Sequence, residues 1–208
     1  MIIRRSTEED VPRMMEIYAR ARAFMAAHGN PDQWGPTNWP PEALIRRDVA
    51  NGNSYVCEEE DRVVGTFFFA CGRDIEPTYA EIEEGQWLDG SPYGVVHRIA
   101  SDGTVKGVGT FCLGWAYARC GHLRIDTHGD NRVIQGLLEK LGFVRCGTIH
   151  VEEDDFPRLA YEKTDGAPDG KDGAVNVYRS LGLYVVREEK NDIGSGSFMD
   201  DFVFRLDL

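Results

Sequence analysis

YGVVHRIASDGTVKGVGT, residues 93–110, is the stretch on which the fold turns. Its first eight or nine residues are rich in Tyr, Val and Ile and have strand character. A loop follows with glycines at 103, 107 and 109, and from about residue 110 the sequence turns helical, to about 119. Glycines let a chain turn tightly and bring successive N–H groups near an anion with no Cβ in the way. The helix amino terminus adds unpaired donors and a partial positive charge. Such a loop can hold a phosphate without basic side chains; it can also be only a strand-to-helix turn. A dinucleotide fingerprint would need glycine at 112, where Cys112 stands, and a phosphate loop of the Gly-Lys-Ser/Thr type fails because Val108 follows Gly103 at the wrong place.

Working outward, Leu123 to Thr127 reads as a strand and about 131–141 as a helix, followed by strands near 144–151 and 158–163. Toward the amino terminus, Ile2 to Arg5 is a short strand. Ser6 with Glu9 has the spacing of a capping box, opening a helix with Val11, Met14, Met15, Tyr18, Ala21 and Met25 on one face. Gly29-Asn30-Pro31 ends it. Trp34 and Trp39 lie in a proline-rich connector, as a wall for an acceptor or as cover for a core. A second helix runs from about 41 to 50, then a hairpin of two strands, the second rich in aromatics. The 71–90 stretch is polar and irregular and carries Glu81, Glu83, Glu84 and Trp87. Strands followed by alternating helices and strands predict an α/β fold around a mixed sheet.

The strand–loop–helix at 93–110 resembles the acyl-CoA pyrophosphate loop of the GNAT N-acetyltransferase superfamily, Arg/Gln-x-x-Gly-x-Gly/Ala, here Thr104-Val105-Lys106-Gly107-Val108-Gly109. Leu123 to His128, then Asn131, a helix and Leu141-Gly142-Phe143 resemble the family's next block. The resemblance spans about residues 1–163. It implies a sheet whose fourth and fifth strands splay apart so that acetyl-CoA, as co-substrate, lays its pantetheine arm in the gap. It implies backbone contacts to that arm from Ile99, Ala100 and Ser101, amides from Thr104 to Thr110 around the pyrophosphate, and a bond from Asn131, which also reads as a helix N-cap. The implied reaction is acetyl transfer to a primary amine by direct attack in a ternary complex. An amine with a lysine-like pKa costs about 4 kcal/mol to deprotonate near neutral pH, so a base or water relay is expected. His97, Asp126, His128 and the acids of 76–84 are the candidates. Two departures stand out. Leu138 occupies the position of the family's acid tyrosine, and Thr104 that of its Arg/Gln. They leave open an alternative, a catalytically degenerate acyl-CoA-binding module.

Residues 164–173 (TDGAPDGKDG) are a linker by composition. Residues 174–208 repeat the order helix, Leu-Gly, strand, polar loop, strand, and resemble the back half of a second such domain, with Tyr178 where its acid tyrosine belongs. They read also as an appended helix and hairpin covering a sheet edge, or, more sharply, as a segment that joins the sheet, across a homodimer or within the chain.

Composition narrows the partners. The net charge of −12 argues against a nucleic-acid partner and suits a cationic small-molecule or peptide amine. No run of about 18 apolar residues points to a membrane, and Met1-Ile2-Ile3-Arg4-Arg5 lacks a signal peptide's apolar run, so a cytoplasmic location is expected. Cys57, Cys71, Cys112, Cys120 and Cys146 lack metal-ligand spacing and read as reduced, mostly buried thiols, with no metal expected.

Overall fold

The computed structural model describes residues 1–152, 154–164, 183–192 and 198–206, the last two stretches in their backbone only. Among the described residues, nine strands and four helices follow one another as β1 (Ile2–Arg5), α1 (Val11–Ala27), α2 (Glu42–Ala50), β2 (Ser54–Glu59), β3 (Arg62–Gly72), β4 (Tyr93–Ser101), α3 (Val108–Cys120), β5 (His122–His128), α4 (Arg132–Lys140), β6 (Val144–Ile149), β7 (Arg158–Thr164), β8 (Leu183–Asp192) and β9 (Phe198–Leu206). Seven strands make one mixed sheet in the order β1-β2-β3-β4-β5-β7-β6, and β8 and β9 pair separately as an antiparallel hairpin.

Every neighbouring pair in the large sheet is antiparallel except β4 and β5. A parallel pair needs a crossover, and α3 supplies it. That helix is apolar on most sides, with Phe111, Leu113, Trp115 and Tyr117 buried in the core that it shares with the sheet and α4. Tyr55, Phe67 and Phe69 meet Trp115 at ring-centroid distances of 4.8–5.6 Å. On the opposite face α1 and α2 bury Val11, Met14, Ile17, Tyr18 and Ile45 against Val56, Val63 and Ala100.

The capping box sits one residue later than Ser6 predicts. Asp10 accepts from the Thr7 N–H at 2.8 Å and from its hydroxyl at 3.1 Å, while the Ser6 hydroxyl is buried with no partner among the described residues. The chain first forms a single 3-10 turn at Glu8–Asp10, so the cap belongs to that turn and α1 begins behind it. The hairpin between β2 and β3 closes on Glu60 and Asp61, both with positive φ, the twist a two-residue connection requires. Among the described residues no helix is long and apolar enough to cross a membrane, and no three His, Cys, Asp or Glu side chains converge as a metal site would need.

Candidate functional site

Parallel pairing between β4 and β5 covers only Gly94 with Leu123 and Val95 with Arg124. Beyond Val95 the two strands part. A local cause is visible in β4. Thr66 of β3 faces Ala100 and Phe68 faces His97, so β4 carries one residue more than its partner, and Arg98 takes a positive φ of 53°. A bulge of this kind bends its strand and increases its twist. It turns the carboxyl end of β4 away from β5 and leaves that edge without a strand partner.

The fork opens into a groove of about 450 Å³. Val96 to Gly103 line one side, Ile125, Asp126 and Thr127 the other, and Val108 and Gly109 at the head of α3 with Asn131 at the head of α4 close one end. The loop between β4 and α3 is held from below. Asp102 accepts from the Thr104 N–H at 2.9 Å and from its hydroxyl at 2.6 Å, and pairs with Arg13 at 2.5 Å. Gly103 and Gly107 take positive φ, and Gly107 forms the N-cap of α3. The helix opens at Val108, two residues before the sequence suggests, so the first-turn donors are the amides of Val108, Gly109 and Thr110. Gly109 also lets α3 lie against α4, since a Cβ there would meet Leu137 at 2.9 Å.

The predicted site residues divide. Ile99, Ala100, Ser101, Val108, Gly109, Asn131, His97 and Asp126 line the groove. Thr104 spends its amide on Asp102, and its hydroxyl also accepts from Arg62 at 2.9 Å. Val105 packs on the core, whereas Lys106 is exposed. Thr110 and Gly107 flank the groove without lining it. His128 stands apart. It is buried against Phe156, and its Nδ1 accepts the Asp130 N–H at 3.1 Å, so it holds the turn before α4. Tyr178 lies outside the described residues. Leu138 is fully buried in the core and offers the groove nothing.

At the fork the ionisable groups form a chain. His97 Nε2 lies 2.9 Å from Glu76 Oε2, and its Nδ1 lies 3.6 Å from Asp126 Oδ1. The Tyr79 hydroxyl donates to that same Asp126 oxygen at 2.8 Å. Burial alone would raise the Glu76 carboxyl, but the hydrogen bond and charge of His97 outweigh it and, with Thr78, hold it at about 2. Burial and the adjacent Asp126 push the Tyr79 phenol well above its ordinary value. Of the acids of the 71–90 stretch only Glu76 reaches the groove. Glu81 and Glu84 do not, and Glu83 bridges to Thr148 of β6 instead.

Two participants had no signal in the sequence. Gln33, in the connector after α1, accepts from Asn30 Nδ2 at 2.8 Å and from Asn131 Nδ2 at 2.9 Å, so the connector spans the groove to α4. Asn131 is also the N-cap, its Oδ1 accepting from the Ile134 N–H at 3.3 Å. Tyr79 reads as a loop aromatic until the fold brings it to Asp126.

Sheet, fork and helix terminus together define an α/β protein with a mixed sheet, a groove where β4 and β5 part, and a helix amino terminus at that groove. No sequence-family model matches the chain, and no curated protein does. Among solved structures, an acetyltransferase of the GNAT family from Streptococcus agalactiae 2603 aligns at 30% identity and TM-score 0.68, over 79% of this chain and 95% of its own. A ribosomal-protein-alanine N-acetyltransferase from Brucella melitensis aligns at 19% identity and TM-score 0.52, over 79% and 99%, a likeness of fold. The chain belongs to the GNAT acetyltransferase family.

Proposed function

We propose that this protein moves the acetyl group of acetyl-CoA to a primary amine, both bound at once in the groove. The observation that carries the reading is the fork between β4 and β5 beside the amino terminus of α3. The thioester supplies an acyl carbon open to attack by an amine. Unpaired backbone groups of Ile99 to Ser101 suit an amide-bearing arm lying as a strand would. The amides of Val108, Gly109 and Thr110 suit a diphosphate, with the positive end of the helix dipole behind them. Asn131 Nδ2 would exchange Gln33 for the arm.

His97 and Asp126 are the groups to receive the amine's proton. Glu76 fixes the imidazole by holding Nε2, and Asp126, within 3.6 Å of Nδ1, faces the groove. The amine nitrogen forms the new C–N bond and its proton passes to this relay, while the C–S bond breaks to release coenzyme A as a thiolate, which takes up a proton from water. A thiol of pKa about 8.5 leaves readily, so the buried Leu138 does not bar the reaction. Tyr178 remains the acid suggested by the sequence, and unchanged turnover in Tyr178→Phe would remove it from that role.

Leu138, together with Thr104 tied into its own turn, favours a second reading, a binding module without chemistry. Thiol release separates the two. Purified protein with acetyl-CoA and a panel of amines should release CoA, and His97→Gln should lower kcat by roughly 10²–10⁴-fold with acetyl-CoA affinity unchanged. Tight acetyl-CoA binding with no thiol release from any amine would favour the module. The reading keeps the cytoplasm as location, without nucleic acid or membrane as partner. A homodimer is tested by size in solution.

A further inference from the structure

We infer that the acceptor is a primary monoamine on a flat, apolar chain, chosen by carboxylates at the fork (Glu76, Asp126), an aromatic wall (Trp34, Trp39) and a cationic rim (Arg20), all lining one groove. The inference rests on the acyl-transfer reading and concerns the acceptor half of the same site.

At the fork, two carboxylates face the two nitrogens of one imidazole, at 2.9 and 3.6 Å. Glu76 is ionised throughout the physiological range because His97 outweighs the cost of its burial. The fork thus sets two carboxylate side chains, Glu76 and Asp126, around a single imidazole in the groove, and an ammonium is drawn to them. The segment that carries the aromatic wall is tied to α1 and to itself. Trp34 meets Tyr18 edge-on at 5.9 Å, the Trp39 N–H donates to the Trp34 carbonyl at 3.0 Å, and Arg22 donates to the Trp39 carbonyl at 3.1 Å. Indole faces lining the groove suit a flat or apolar chain.

Farther out, the groove's arginines differ. Arg98 is paired with Asp48 and Arg158 with Asp154, both at 2.6 Å. Arg20, one helical turn before Phe24 on the same face of α1, forms no ion pair among the described residues, and its charge stands uncompensated at the mouth. A second ammonium on the acceptor would meet this cation where the first meets carboxylates. Polyamines and lysine-rich peptides are disfavoured by that arrangement.

The test measures CoA release by the full chain at saturating acetyl-CoA with 2-phenylethylamine, spermidine and a lysine-containing tetrapeptide. The expected kcat/KM for 2-phenylethylamine is about tenfold or more above the other two. Arg20→Glu should narrow the gap by raising the spermidine rate, and Trp34→Ala should raise KM for 2-phenylethylamine, with Trp34→Phe as the milder variant if the alanine protein melts early. Spermidine or the peptide as best substrate overturns the inference and leaves acetyl transfer standing. So does Arg20→Glu weakening acetyl-CoA binding while the acceptor ratio stays fixed. Release from none of the amines overturns both.

Discussion

Glu76 shows how one side chain ties stability to the site. Its carboxyl sits at about 2, below its ordinary 4.5, because His97 holds the ionised form against the cost of burial. The pairing therefore stabilises the fold above about pH 4.5 and is lost as pH falls toward about 2. Glu76→Gln should cost about 1–2 kcal/mol at neutral pH, and its deficit in thermal melts should shrink on acidification. A deficit that stays constant from neutral to acid pH would refute this account. Cys71 behaves differently. The Cys120 thiol hydrogen-bonds to it and His122 adds charge, so this exposed thiol is brought to about 7, whereas burial keeps Cys112 protonated. Limiting iodoacetamide at mildly alkaline pH should label Cys71 first by peptide mapping. First labelling of Cys57 or Cys112 would contradict it. His97 was visible as a strand histidine, but its role depends on Glu76, 21 residues away in the chain, and no local pattern joins the two.

At the scale of elements, the order of strands and helices was legible nearly throughout. Period-two and period-3.6 patterns are local, and so are the glycines that break them. The bulge at Arg98 was not legible. It arises from the mismatch between β3 and β4 in register, which only pairing decides. Gly65 on β3 was equally silent. Its missing side chain makes room for the first residue of α3, since a Cβ there would stand 2.5 Å from Val108 Cγ1 and 3.3 Å from the Ala100 carbonyl oxygen. Gly65→Ala should cost about 1–3 kcal/mol in urea unfolding and also weaken acetyl-CoA binding in calorimetry, because the displaced residue heads the anion-binding turn. Loss of stability with full affinity would show that the turn does not depend on this contact.

Across the whole molecule, the irregular stretch before β4 is fastened by a buried charge cluster. Glu162 on β7 is fully buried and accepts from His122 Nε2 at 2.5 Å, from Arg124 Nε at 3.0 Å and from the Leu88 N–H. The Arg124 guanidinium lies over the rings of Trp87 at 4.4 Å and Tyr93 at 4.1 Å and donates to the Asp89 carbonyl at 2.5 Å. Burial would raise the Glu162 carboxyl, but these donors hold it low. Glu162→Ala leaves a buried guanidinium and imidazole without their anion, and should lower unfolding free energy by about 3–5 kcal/mol. A loss below about 1 kcal/mol would mean that water or a rearranged neighbour replaces the carboxylate. The same stretch carries Glu76 and Tyr79, so this anchor also positions the wall of the groove.

The amino-acid sequence alone determined the alternation of elements, the glycine-bearing turn into α3 and the Asn131 cap, because each depends on residues within a turn or two of one another. Folding in three dimensions decided where the sheet forks, that His97 rather than His128 faces the groove, and that Gln33 spans it to Asn131. Those outcomes depend on which distant segments pack together. Burial, register and charge pairing exist only once they have met.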